Sequence, residues 1–115
     1  MTQGIKTFIY PVKDAARAKS FYSKLLGIEP HCNEPYYVGF KVDDQEIGLI
    51  PNGHNAGLTA PLGYVHVAAI QNTFQSLLDS GAKIEQEVKN VGGGRLVASV
   101  KDADGNVIGL LQSAA

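Results

Sequence analysis

Few side chains in this sequence offer acid–base or metal chemistry, and they are scattered. There are three histidines, His31, His54 and His66, and one cysteine, Cys32. Imidazole titrates near neutrality, so each histidine is a candidate base, acid or ligand. His31 and Cys32 are adjacent, and neighbours on a strand point to opposite faces, so they do not act together there. His54 lies in "NGHNAGLTAP" (52–61), a loop-type stretch, and no His-x-x-His or His-x-x-x-His spacing occurs. His66, in "LGYVHVA" (62–68), is the candidate catalytic residue, as a general base or a donor to a ligand. Its plainer reading is a half-buried strand histidine bonded to a neighbour, because no carboxylate is identifiable on its face. Tyr64 shares that face at a spacing of two. No base is placed to activate Cys32. A single cysteine also excludes an internal disulfide and a multi-cysteine zinc site. Gly92-Gly93-Gly94 lacks the following helix start that a phosphate cradle requires, so it reads as a loop. Arg95 beside it either meets an anionic ligand or lies exposed.

The elements that must hold these groups follow a repeated pattern. "IKTFIYPV" (5–12) reads as a strand, and Asp14 as the N-cap of a helix that Gly27 stops. Ala15, Ala18, Phe21, Tyr22, Leu25 and Leu26 give that helix an apolar face, with Phe21 and Tyr22 expected in the core. Strands are expected at 28–33, 36–42 and 45–51, separated at Glu34-Pro35 and Asp43-Asp44. After the stretch 52–61 the pattern restarts: strand 62–68, helix 70–81, then strands 82–90, 94–100 and 106–112. "DADG" before the last is a hairpin turn signal. The chain thus reads βαβββ, linker, βαβββ, an internal duplication with a period of roughly 55 residues. The expected class is α+β, one domain of residues 1–115, with modules 5–51 and 62–112 joined by 52–61.

Composition narrows the function. At 115 residues, 44% hydrophobic and 18% charged, this is a globular domain with room for a single core system. A formal net charge of −1, with no basic run, argues against nucleic acid or an anionic membrane as partner. No secretion-type start or membrane-length apolar run is present, so a cytoplasmic location is the expectation.

Three stretches, "YPVKDAARAKSFYSKLLG" (10–27), "SLLDSGAKI" (76–84) and "GGRLVASVKDADGNVIGLLQ" (93–112), resemble the vicinal oxygen chelate superfamily, the glyoxalase/bleomycin-resistance/extradiol-dioxygenase group. The resemblance spans nearly the whole chain. It implies paired βαβββ modules in curved mixed sheets around a cup, and a homodimer. In the family's metal enzymes four strand positions carry ligands. Here they are Thr7, Gly48, Leu62 and Gly109, and "GNVIGL" stands where the family pattern reads "GNxIEL". A hydroxyl, two glycines and a leucine are poor ligands for a divalent metal. The expectation is therefore no metal and no cofactor.

Period-two alternation then places Thr7, Ile9, Tyr37, Gly48, Ile50, Leu62, Tyr64, His66, Gly109 and Leu111 around the cup as ligand-binding residues. A mostly apolar cavity with a few polar tips suits a small organic molecule. Glycine at two ligand positions either enlarges the cavity or marks a bulge or close packing. The expected function is metal-independent binding of an apolar or aromatic molecule, with Tyr37 and Tyr64 as stackers, as the resemblance to bleomycin-resistance proteins implies. The alternative is a lyase- or isomerase-type enzyme with His66 as acid/base. A weaker third is an interaction module with a vestigial cup.

Overall fold

A computed structural model of the chain describes residues 2–51 and 60–114. His54 lies outside the described residues. The class is α+β, built from two βαβββ modules of two helices and eight strands. The chain divides into two compact units: residues 7–62, and residues 63–115 together with the first six.

In the first unit, β1 (Thr2–Pro11) leads to α1 (Ala15–Leu26), followed by β2 (Cys32–Glu34), β3 (Tyr37–Val42) and β4 (Gln45–Ile50). The strand order is β2-β3-β4-β1. β2–β3 and β3–β4 are antiparallel, and β4 runs parallel to β1. The Asp14 side chain accepts a hydrogen bond from the Arg17 amide at 3.1 Å, closing the N-terminus of α1 within one turn. Gly27 ends the helix at φ 72°, a left-handed conformation that costs glycine nothing, and its amide bonds the Ser23 carbonyl. Ala18, Tyr22 and Leu26, four residues apart, pack onto a core of Val38, Phe40 and Leu49.

The expected helix face was too wide. Phe21 is 63% exposed and Leu25 66% exposed. Each lies a helical step of ~100° from the Ala18–Tyr22–Leu26 seam, so it turns away from the sheet. Phe21 instead meets Tyr22 edge-on, with ring centroids 5.2 Å apart. The strand expected at 28–33 forms only from Cys32, because the chain must first leave the capped helix end.

The second unit repeats the plan with β5 (Leu62–Val67), α2 (Ile70–Asp79), β6 (Lys83–Asn90), β7 (Leu96–Lys101) and β8 (Val107–Gln112), in the order β5-β8-β7-β6. β5 runs parallel to β8, and the other two pairs are antiparallel. Its core is Val67, Ile70, Phe74, Ala98, Val100 and Leu110. Ala69 gives α2 no side-chain cap. The Gln112 amide oxygen takes that role, accepting from the Ile70 amide at 2.8 Å across 42 residues of sequence. At the β7–β8 turn, Asp102 accepts hydrogen bonds from the amides of Asp104 and Asn106 and from the Asn106 side chain. No described helix is long and apolar enough to cross a membrane.

Candidate functional site

In the first unit, strand alternation sorts the residues cleanly. Val38, Phe40 and Leu49 point under α1, so Tyr37, Gly39, Glu46, Gly48 and Ile50 take the other face of the sheet. β1 adds Thr7, Ile9 and Pro11, whose partners in register are Glu46, Gly48 and Ile50. Thr7 and Ile9 are buried. The two glycines lie opposite each other, Gly39 on β3 against Gly48 on β4. The ring of Tyr37 lies across both. A Cβ on Gly48 would stand 2.5 Å from the ring and 2.8 Å from Ile9, and one on Gly39 would stand 2.7 Å from the ring. No side chain fits at either position without displacing the tyrosine. The glycines give the ring a flat seat.

The ring carries a polar end. Tyr37 donates from its hydroxyl to Glu46 Oε2 at 2.5 Å, and His31 Nε2 lies 2.7 Å from Glu46 Oε1. Both oxygens of one carboxylate are engaged, an arrangement that suits the ionised form. The His31 amide bonds the Gly39 carbonyl at 2.9 Å, which fixes the residue just before β2. His31 remains 46% exposed while Glu46 is 17% exposed, so the imidazole meets solvent and shields the carboxylate.

The equivalent face of the second unit carries Tyr64 and His66 from β5, Ser99 from β7, and Gly109 and Leu111 from β8. Tyr64 and Ser99 are both in register with Gly109, and His66 with Leu111. A Cβ on Gly109 would stand 2.5 Å from the Tyr64 ring. Burial pushes the Tyr64 phenol above its ordinary pKa, so it is a neutral donor at physiological pH. His66 is half-buried. Ser99 is 4% exposed, and its hydroxyl makes no hydrogen bond among the described residues. Leu62, 8% exposed, starts β5 on the same side of the strand as Tyr64 and His66.

The expected residues therefore fall into two groups: Thr7, Ile9, Tyr37, Gly48 and Ile50 on one face, and Leu62, Tyr64, His66, Gly109 and Leu111 on the other. The sequence reading missed Gly39, Glu46, His31 and Ser99. Glu46 was within reach, since it stands two residues before Gly48 on the same strand. His31 precedes its strand and carries no periodic signal. Cys32 pairs with Gly39 and is half-buried, and Arg95 is exposed. A shallow groove of about 320 Å³, touched by Ala15, Lys19, Asn33 and Pro35, opens beside α1, away from all of these groups.

The four positions that bear metal ligands in the resembled enzymes do not fit a metal here. Thr7 supplies one hydroxyl, Leu62 nothing, and tyrosine rings cover both glycines. Among the described residues no group of three or more His, Cys, Asp or Glu side chains is arranged to hold a metal ion.

Comparison with solved structures finds the same fold at low identity. A hypothetical protein from Bacillus halodurans superposes with TM-score 0.78 at 13% identity, over 96% of this chain and 94% of that one. A glyoxalase/bleomycin resistance protein/dioxygenase superfamily member from Vibrio splendidus gives 0.71 at 17%, over 98% and 100%. Methylmalonyl-CoA epimerase from Mycobacterium tuberculosis gives 0.73 at 17%, over 99% and 90%. Comparison with curated proteins finds no match. The family model of the Glyoxalase/Bleomycin resistance protein/Dioxygenase superfamily matches residues 4–110, and the chain belongs to that superfamily.

Proposed function

We propose that this protein binds a small organic molecule of apolar or aromatic character on its tyrosine-covered sheet faces, without a metal at Thr7, Gly48, Leu62 and Gly109. The observation that carries this reading is the pairing of each glycine with a ring, Tyr37 on Gly48 and Tyr64 on Gly109. An aromatic side chain beside aliphatic neighbours offers a planar, apolar contact, and a few polar tips orient the ligand. Ile9, Ile50 and Leu111 are the aliphatic neighbours. Thr7, Tyr64 and His66 are the polar tips. A homodimer, as the family resemblance implies, is part of this reading.

An anilinonaphthalene dye and elemental analysis test it together. The expected result is saturable dye fluorescence, weakened about fivefold by Tyr37→Ala or Tyr64→Ala, since stacking pairs contribute about 1 kcal/mol beyond area. Purified protein is expected to carry no stoichiometric Zn, Ni, Mn or Fe. Stoichiometric metal, lost together with dye binding on chelation, overturns it. Sedimentation then gives the oligomeric state.

The second reading is a lyase- or isomerase-type enzyme acting on a small organic substrate. Two observations favour it. An imidazole and a carboxylate are in contact on the first face. Structures of similar fold include methylmalonyl-CoA epimerase. In the sequence reading the acid/base is His66, and a His66→Ala variant that keeps full turnover would remove it from that role.

A further inference from the structure

We propose that His31, not His66, is the proton-accepting group of this protein, with Glu46 as its positioning residue, and that its ligand is a small organic molecule bearing one acidic proton. The inference rests on the reading that the first unit's face binds such a molecule.

The chemistry follows from who donates to whom. Tyr37 donates to one oxygen of Glu46. The other oxygen lies 2.7 Å from His31 Nε2, and an ionised carboxylate offers only lone pairs. Nε2 must then carry the hydrogen, which leaves Nδ1 as the lone-pair nitrogen of the neutral ring. Nδ1 makes no hydrogen bond among the described residues. One nitrogen is tied to a shielded carboxylate and the other is unengaged on a ring 46% exposed. That is the arrangement by which a carboxylate fixes the tautomer of a histidine base and balances the charge it gains.

The surroundings select the ligand. The Tyr37 ring, seated on Gly39 and Gly48, extends from the same carboxylate toward Ile9. A molecule stacked there has an apolar floor and one polar corner, and the exposed Lys41, in register with Glu46, adds one cation to the same face. In the proton transfer Nδ1 takes the proton, the electron pair of the broken bond stays on the ligand, and Nε2 keeps its hydrogen bond to Glu46. The imidazolium afterwards returns its proton to the ligand or to water.

Nitrobenzisoxazole is a suitable probe. A base removes its ring C–H proton, the electron pair completes a nitrile, and the N–O bond breaks to give a coloured nitrophenolate. Displacement of the anilinonaphthalene dye measures binding separately from turnover. Wild-type protein is expected to turn the probe over about 100-fold faster than His31→Ala or His31→Gln, a typical contribution of a positioned base. Glu46→Gln is expected to lower kcat about tenfold with KM little changed. Nitrogen NMR is expected to show the neutral His31 ring protonated at Nε2 in the wild type and as a tautomer mixture in Glu46→Gln. Dye displacement without turnover, turnover that survives His31→Ala but not His66→Ala, or a wild-type ring protonated at Nδ1 would each overturn the assignment while leaving ligand binding intact. Failure to displace the dye would overturn the binding reading along with it.

Discussion

Each unit lays a tyrosine over a glycine, but the rings are anchored differently. Tyr37 is tied by its hydroxyl to Glu46, which also holds His31, so its surroundings are charged and half-open. Tyr64 lies deep enough for burial alone to raise its pKa, on a face it shares with Ser99 and the aliphatic Leu111. The rings come from non-equivalent strands, Tyr37 from β3 and Tyr64 from β5, the counterpart of β1, so the duplicated backbone keeps the glycine but neither the strand that covers it nor the electrostatics around it. The polar partners depend on single side chains, which the repeat does not preserve.

The largest expected effects test whether the two halves are equivalent beneath their helices. Phe40 is fully buried and Phe74 is 6% exposed. Truncation to alanine is expected to cost about 3–5 kcal/mol at either position by urea denaturation. A cost at Phe74 below about 1 kcal/mol would break the equivalence of the cores.

Next come the seats of the rings. Gly48→Ala and Gly109→Ala each place a methyl about 2.5 Å from a ring, and overpacking of this kind costs about 1–3 kcal/mol. At Gly48 the displaced ring drags its hydroxyl off Glu46, and at Gly109 the methyl also meets the Gly63 carbonyl oxygen, a backbone atom, at 2.9 Å. The cost is expected to be at least as high at Gly109, and a markedly lower cost there would mean that the second sheet gives way more easily than the first.

The polar groups should then separate the faces in sign. Glu46→Gln exchanges a charge-assisted acceptor for a neutral amide and is expected to destabilise by about 1–2 kcal/mol. Ser99→Ala removes a buried hydroxyl that has no partner among the described residues, and is expected to be neutral or stabilising by up to about 1 kcal/mol. Loss of stability in Ser99→Ala would show that the hydroxyl is satisfied in solution.

The smallest effects are those of pH. Hydrogen bonds from the Asn106 side chain and then its amide hold the Asp102 carboxyl below its ordinary value. Its contribution is present above the ordinary carboxylate pKa and is lost as pH falls through the lowered one. Asp102→Ala should remove that acid-limb decline. Tyr64 has the opposite sign, because its raised pKa makes folding less favourable as pH rises past about 10. Tyr22 adds a similar alkaline limb in the first unit, raised by burial and then by Tyr10. Tyr64→Phe should therefore flatten only part of the alkaline decline, read from unfolding midpoints between neutral pH and pH ~11.

Much of the fold was legible because its signals are local. Asp14 and Gly27 bound α1 through contacts three and four residues away, and "DADG" turns on bonds within five residues. The start of α2 at Ile70 was legible from periodicity, but its cap was not, because it comes from Gln112 at the far end of the unit. Phe21 and Leu25 were misplaced because helical periodicity sets the spacing of a face but not the width of what covers it.

The sequence by itself determined the α+β duplication, the turns and caps, and the coincidence of Gly48 and Gly109 with ligand positions of the resembled enzymes. Alternation and spacing carry these, and both are properties of a chain with itself. Only the tertiary structure decided what occupies the space the glycines leave, and that His31 meets a carboxylate. The ring on Gly48 comes from the neighbouring strand, and His31 reaches Glu46 across 15 residues and a change of chain direction. Such contacts follow from strand pairing and loop path, which no periodicity within one strand contains.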